Sequence, residues 1–217
     1  MARGRLIVLE GPEGVGKSTQ HRLLAEYLVG CGQDVVALRE PGGTPVGNVI
    51  RGVLLDPSSD IVPTAEALLY MASRAQLVER AITPALARGA TVLLDRFFLA
   101  TYAYQGAGRG IPADTITAIN GFATGGLVPD LTLLLTLPVA QGLARAALRG
   151  GHDRMERAEL AFHERVAGAF KTFLEPAWQA SHPECGPIVL VDASGTEAEV
   201  LARLLRALRS HWPESFA

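Results

Sequence analysis

Gly11-Pro12-Glu13-Gly14-Val15-Gly16-Lys17-Ser18 is the stretch that decides the fold. It fits the pattern G-x-x-x-x-G-K-[ST], and its surroundings count as much as its letters. The apolar run Leu6 to Glu10 before it reads as a buried strand, and a helical pattern runs from Lys17 to Val29 after it. A strand that ends in a glycine-rich loop and restarts as a helix turns backbone N–H groups inward on an anion. The helix N-terminus adds a partial positive charge. In such a loop Glu13, Gly14, Val15, Gly16, Lys17, Ser18 and Thr19 wrap the phosphates of a nucleoside triphosphate, Lys17 reaches the β- and γ-phosphates, and the Ser18 hydroxyl holds Mg²⁺. Lys17 and Lys171 are the only lysines in a chain whose usual cation is arginine, so a lysine at this position is informative.

Working outward, four more apolar runs read as strands: Asp34 to Leu38, Thr91 to Asp95, Leu131 to Leu137 and Ile188 to Asp192. They lack the polar alternation of a half-exposed sheet, which suits parallel strands covered on both faces. Helical patterns lie between them, at Thr64 to Ala87, Asp114 to Ala123, Val139 to Leu148, Glu156 to Ala180 and Glu197 to Leu208. The alternation predicts an α/β fold with a five-stranded parallel sheet flanked by helices, in one domain over 1–217. Gly106 to Gly110 reads as a loop. Gly150-Gly151-His152-Asp153 interrupts an Arg-bearing helical pattern, as an ordinary turn or as the hinge of a small Arg-rich lid at about 145–158.

The net charge of −2 argues against an extended nucleic-acid surface, though not against one nucleotide in a cleft. Cys31 and Cys185 are far apart and in no metal-ligand spacing. The apolar run after Arg5 is too short for a signal peptide, and no later run could span a bilayer, so the expected compartment is the cytoplasm.

A phosphate loop alone does not separate a kinase from a GTPase switch. The guanine-reading N-K-x-D is absent, since neither Asn48 nor Asn120 is followed by lysine. In open α/β sheets ligands bind beyond the carboxyl ends of the strands. The second strand runs into Arg39-Glu40-Pro41-Gly42-Gly43-Thr44, and the third into Asp95-Arg96. Three strand ends thus offer a phosphate loop, an Arg–Gly–Gly turn and an acid–base pair to one crevice, which favours a small-molecule kinase.

Those segments, with Arg51 in Ile50-Arg51-Gly52-Val53-Leu54-Leu55-Asp56 and the run Ala103-Tyr104-Gln105-Gly106-Ala107-Gly108-Arg109-Gly110, resemble bacterial thymidylate kinase, a P-loop nucleoside monophosphate kinase. The resemblance covers essentially the whole chain. It implies Mg²⁺-dependent transfer of the ATP γ-phosphoryl group to dTMP, and a homodimer. It further implies that Tyr70 stacks on thymine and Arg74 bonds the base carbonyl, both on one helical face. Thr101 would meet the base edge, Tyr104 would pack near the sugar 2′ position, and Glu13 would lie near the 3′-hydroxyl. Gln105 would line the substrate segment or serve structure. Arg39, Arg51 and Arg96 would surround the dTMP phosphate, where Arg forks suit its oxygens, and Pro41 would be a further substrate-binding residue. Asp95 would organise Mg²⁺, directly or through water, or hold a neighbouring Arg. Because the P-loop carries Gly14 rather than Arg, the resemblance assigns the cation over the transferring phosphate to the lid, at Arg149 and Arg154, with Arg145 as a further candidate. The alternatives are a kinase for another monophosphate or a nucleoside, and a nucleotide-binding regulator that transfers nothing.

Overall fold

The computed structural model describes residues 3–147, 154–155 and 159–215. Five parallel strands, β1 (Leu6–Glu10), β2 (Val35–Arg39), β3 (Thr91–Asp95), β4 (Leu131–Thr136) and β5 (Ile188–Asp192), form one sheet in the order β2-β3-β1-β4-β5. Side chains alternate across a strand, so Leu6 and Val8 enter one core and Ile7 and Leu9 the other. Both cores are closed, which is why β1 reads as a continuous apolar run. β2 and β5 lie at the sheet edges and are only partly buried, a consequence of edge position that an apolar run does not reveal.

On one face α1 (Lys17–Gly30) and α10 (Glu197–His211) bury Leu24, Leu28, Val200, Leu204 and Leu208 against the sheet. Truncating a fully buried leucine such as Leu24 to Ala would cost about 2–5 kcal/mol. Thr196 caps α10 through a reciprocal bond with Glu199, so the chain after β5 enters this helix at a defined angle. The other face is covered by α3 (Pro63–Leu77), α5 (Phe98–Thr101) and α8 (Leu160–Thr172), among others.

The helical pattern from Thr64 to Ala87 is one continuous run: α3, a π-helical turn over Val78–Ile82, and α4 (Thr83–Ala87). The widened turn immediately precedes Pro84, whose ring would clash with the carbonyl of residue 80 in regular α geometry. Helix α2 (Pro45–Leu55), capped by Thr44 on Gly47 N, was not legible as periodicity, because two glycines and Asn48 interrupt it. The expected loop at Gly106 to Gly110 is instead largely helical: α5 continues as a π-helix over Tyr102–Gly108. A Cβ on Gly108 would sit 2.5 Å from the Phe162 ring, so glycine there serves close packing on α8. The expected helix to Ala180 is broken after Thr172 and resumes as α9 (Pro176–Ser181), since Pro176 cannot donate to a continuing helix. Helices α6 (Ala113–Thr124) and α7 (Val139–Ala147) follow the pattern closely. Most of the expected lid lies outside the described residues. Among those described, no helix is long and apolar enough to cross a membrane.

Candidate active site

A cleft of about 480 Å³ opens at the carboxyl ends of β1, β2 and β3, where an open parallel sheet places its ligands. The loop Glu13 to Thr19 lines its centre, Arg39, Pro41, Arg51 and Tyr70 line one end, and Ala193, Gly195 and Val200 the other.

The loop is shaped by close packing. Gly14 has φ 74°, and a Cβ there would meet Gly142 O of α7 at 1.8 Å, so no larger residue fits without moving the helix. Lys17 begins α1 and is folded back, with Nζ donating to Gly11 O at 2.8 Å and Pro12 O at 2.7 Å. Burial, then repulsion from Arg96, lowers its pKa to about 8. Next to it, Ser18 Oγ donates to Asp95 Oδ2 at 3.1 Å, while Asp95 Oδ1 is buried with no hydrogen-bond partner among the described residues. A hydroxyl beside an underused carboxylate suits a hard cation that completes its shell with water and phosphate oxygens. No cluster of three acidic, His or Cys ligands exists among the described residues, so a purely protein-held cation is not offered.

Arg96 follows directly on β3 with φ 73°, a left-handed conformation that is strained for a side-chain-bearing residue. Its backbone N–H is fixed on Leu9 O at 3.0 Å. The guanidinium lies 5.0 Å over the Tyr104 ring, bonds the Glu13 carboxylate, and reaches Gly11 O at 3.3 Å. Tyr104 Oη donates to Glu13 Oε1 at 3.0 Å. Burial opposes the Arg96 charge, but Tyr104, Glu13, Asp95 and Glu10 outweigh it and hold the group firmly cationic. Beneath this trio, Glu10 is fully buried, and its Oε1 accepts from Phe97 N at 2.7 Å and Ala100 N at 3.1 Å. It thereby ties the start of α5 to the end of β1. Desolvation raises its pKa.

At the Arg39–Tyr70 end, Tyr70, Arg74, Thr101 and Gln105 all line the cleft, brought together from α3 and from the α5–π segment. Arg74 is 1% exposed and heavily committed. It pairs with Glu40 through Nε at 2.6 Å and Nη2 at 3.0 Å, donates to Phe97 O at 2.9 Å, and bonds Asn120 Oδ1. All five of its N–H groups are engaged, the last, on Nη1, in a weak bond to Met71 Sδ at 3.9 Å. Burial raises the Glu40 pKa despite Arg74. Arg51 Nη1 donates to Pro41 O at 3.0 Å, which holds α2 to the turn after β2.

The arginines expected over the transferring phosphate divide three ways. Arg154 is turned away from the loop: Nη2 pairs with Glu66 Oε2 at 2.6 Å and Nε donates to Leu54 O at 2.8 Å, joining Arg109 around a completely buried carboxylate. Arg145 lines the cleft and donates to Ala193 O at 3.4 Å. Arg149 lies outside the described residues. Sequence reasoning missed Glu40, Glu66 and Asn120. The available signal was charge at a strand end or on an otherwise apolar helix face, which demands a partner without naming it.

The thymidylate kinase family model matches residues 9–181. The chain is 47% identical over 208 residues to a thymidylate kinase of Deinococcus radiodurans, covering 96% of this chain and 98% of that one. It is 51% identical over 191 residues to one of Exiguobacterium, covering 88% and 87%, and 50% identical over 200 residues to one of Ectopseudomonas mendocina, covering 92% of each. The chain belongs to the thymidylate kinase family. Membership fits a parallel sheet whose first strand ends in the phosphate loop. In this member of the thymidylate kinase family, the cleft carries Lys17 near its middle and Tyr70 and Arg74 toward one end.

Proposed function

We propose that the chain is a thymidylate kinase that transfers the γ-phosphoryl group of ATP to the phosphate of dTMP, giving ADP and dTDP. The observation that carries this reading is one cleft with a phosphate loop and Lys17 at its centre and an aromatic–arginine–threonine set at one end, with Arg96 between them. The acceptor is a phosphate oxygen already ionised at neutral pH, so no activated nucleophile is required. Catalysis is then positioning plus charge neutralisation.

In this reading Lys17 leaves the Gly11 and Pro12 carbonyls for the β- and γ-phosphates, and the N–H groups of Gly14 to Thr19 cradle them. Arg96, held in place by Glu13 and Tyr104, meets the oxygens of the acceptor phosphate with Arg39 and Arg51. Tyr70 stacks on the base, Arg74 exchanges its weak Nη1 bond to Met71 Sδ for one to a base carbonyl, and Thr101 and Gln105 border its edge. Glu13 and Tyr104 border the sugar. Arg145 and Arg149 are the candidates for the cation over the transferring group, and Arg154 is assigned to acceptor-side packing. When bound, Mg²⁺ would be held by Ser18 and Asp95 and would supply positive charge to the phosphate oxygens.

The proposal takes the chain as one domain that acts in the cytoplasm, on small nucleotides rather than a nucleic-acid polymer, and as a homodimer. A second copy is supported by an apolar face. Val46, Val49 and Val53 of α2, Leu68 of α3 and Phe122 of α6 are exposed, Phe122 to 94%, on helices packed side by side. Coupled ADP release with ATP–Mg²⁺ against dTMP, dUMP, dCMP, AMP, GMP and thymidine tests the reaction. Fastest turnover on dTMP, abolished by Lys17→Ala, is expected; rapid turnover of another acceptor with dTMP inert would overturn the assignment. Light scattering on a sizing column reads the dimer, and Phe122→Glu should shift it toward monomer.

A further inference from the structure

Glu66 lies near the start of α3 and is completely buried, yet three side chains from two separate parts of the chain donate to it. Gln105 Nε2 reaches Oε1 at 2.8 Å from the π-helical segment. Arg109, just beyond that segment, contributes Nε at 3.3 Å and Nη2 at 3.1 Å. Arg154 Nη2 approaches Oε2 at 2.6 Å. Neither arginine lines the cleft, so this carboxylate is not part of the phosphate machinery.

The consequences do reach the cleft. Arg154 also binds the end of α2, through Nε to Leu54 O at 2.8 Å and through its backbone N–H to Leu55 O at 3.2 Å. That fixes the next residue, Met155, which is 5% exposed and lines the cleft with Leu55 and Gln105. A single carboxylate therefore holds a polar wall residue, Gln105, and an apolar one, Met155, although the two are distant in sequence. Removing its charge would leave two partly buried guanidinium groups near each other without their shared counter-charge, and they would separate.

We infer that Glu66 is a positioning residue for the acceptor nucleotide, acting through Gln105 and through the Arg154–Met155 pair. The inference rests on the reading that dTMP occupies the Tyr70–Arg74 end of the cleft. Neither Lys17 at the centre nor the donor end at Ala193, Gly195 and Val200 makes any of these contacts, so the effect of disturbing Glu66 belongs to one substrate alone.

The test is calorimetric binding of dTMP and, separately, of ATP to the full chain and to Glu66→Gln, Arg154→Gln and the double variant, with a thermal melt of each. Glu66→Gln is expected to weaken dTMP about tenfold while ATP affinity stays within about twofold, since the loss is confined to one pocket wall. Arg154→Gln should do the same, and the double variant should fall short of the product of the two, because both act on one network. A general loss of structure would instead weaken both ligands together and would overturn the inference, as would unchanged dTMP binding. A wild-type chain that binds ATP but no dTMP would overturn both the functional reading and the inference built on it. If Glu66→Gln does not fold, Met155→Ala decides: weaker dTMP with unchanged ATP supports the placement, and unchanged dTMP refutes it.

Discussion

Raising the pH should switch off ATP capture before it harms anything else. Lys17 is 6% exposed, and burial, followed by the nearby Arg96 charge, brings its pKa from 10.5 to about 8 in the free protein. Above that value the free protein loses the ammonium that the β- and γ-phosphates need. kcat/KM for ATP reports the free protein, so it should fall about tenfold per pH unit above pH ~8. kcat should stay level further into the alkaline range, because bound phosphates restore the charge they pair with. The displacement from 10.5 to about 8 corresponds to roughly 3 kcal/mol carried against the lysine charge in the fold. Its sign is opposite to alkaline unfolding. The folded value lies below the unfolded one, so the penalty is fully present below about 8 and is relieved as pH rises toward 10.5. Loss of activity near pH 9 therefore comes without loss of stability from this group. The assay is coupled ADP release from about pH 6.5 to 10, varying ATP at saturating dTMP and then dTMP at saturating ATP. A kcat/KM for ATP that is flat to about pH 9.5 would refute the reasoning, and so would an equal fall for both substrates.

Glu40→Gln removes one partner of a pair with side chains 1% and 2% exposed, and should cost about 3–5 kcal/mol. In a thermal melt that is a fall of roughly 6–20 °C for a chain of this size. Gly108→Ala drives a methyl to within 2.5 Å of the Phe162 ring, and should destabilise by about 1–3 kcal/mol by chemical denaturation while leaving the helix signal in circular dichroism intact. Asp95→Asn keeps the size of the side chain but removes its charge beside Ser18, so half-maximal activity should need at least about tenfold more Mg²⁺ in a titration at fixed ATP. Unchanged Mg²⁺ dependence there would assign Asp95 to holding Arg96 instead.

Short-range interactions were legible in the chain, and long-range ones were not. The strands, the phosphate loop and the first helix were legible because their signals are local: an apolar run, glycines at a turn, a lysine at a helix start. The α5–π segment was half legible. Thr101, Tyr104 and Gln105 do share a buried helical wall, but Gly108, read as part of a loop, lets α8 approach. Helix α2 was missed because Gly47, Asn48 and Gly52 interrupt its apolar pattern and several of its valines are exposed.

What the sequence by itself determined is the order of strand, loop and helix, hence the parallel sheet and the place where phosphates can be held. Backbone geometry and side-chain periodicity act over a few residues, and the chain writes them out directly. Which charges meet was decided by the tertiary structure. Arg74 meets Glu40 across 34 residues, Glu10 holds Phe97 across 87, and Glu66 draws Arg154 away from the phosphate loop. A buried charge must find a counter-charge within a few ångströms, and only the packed fold determines which one is that near.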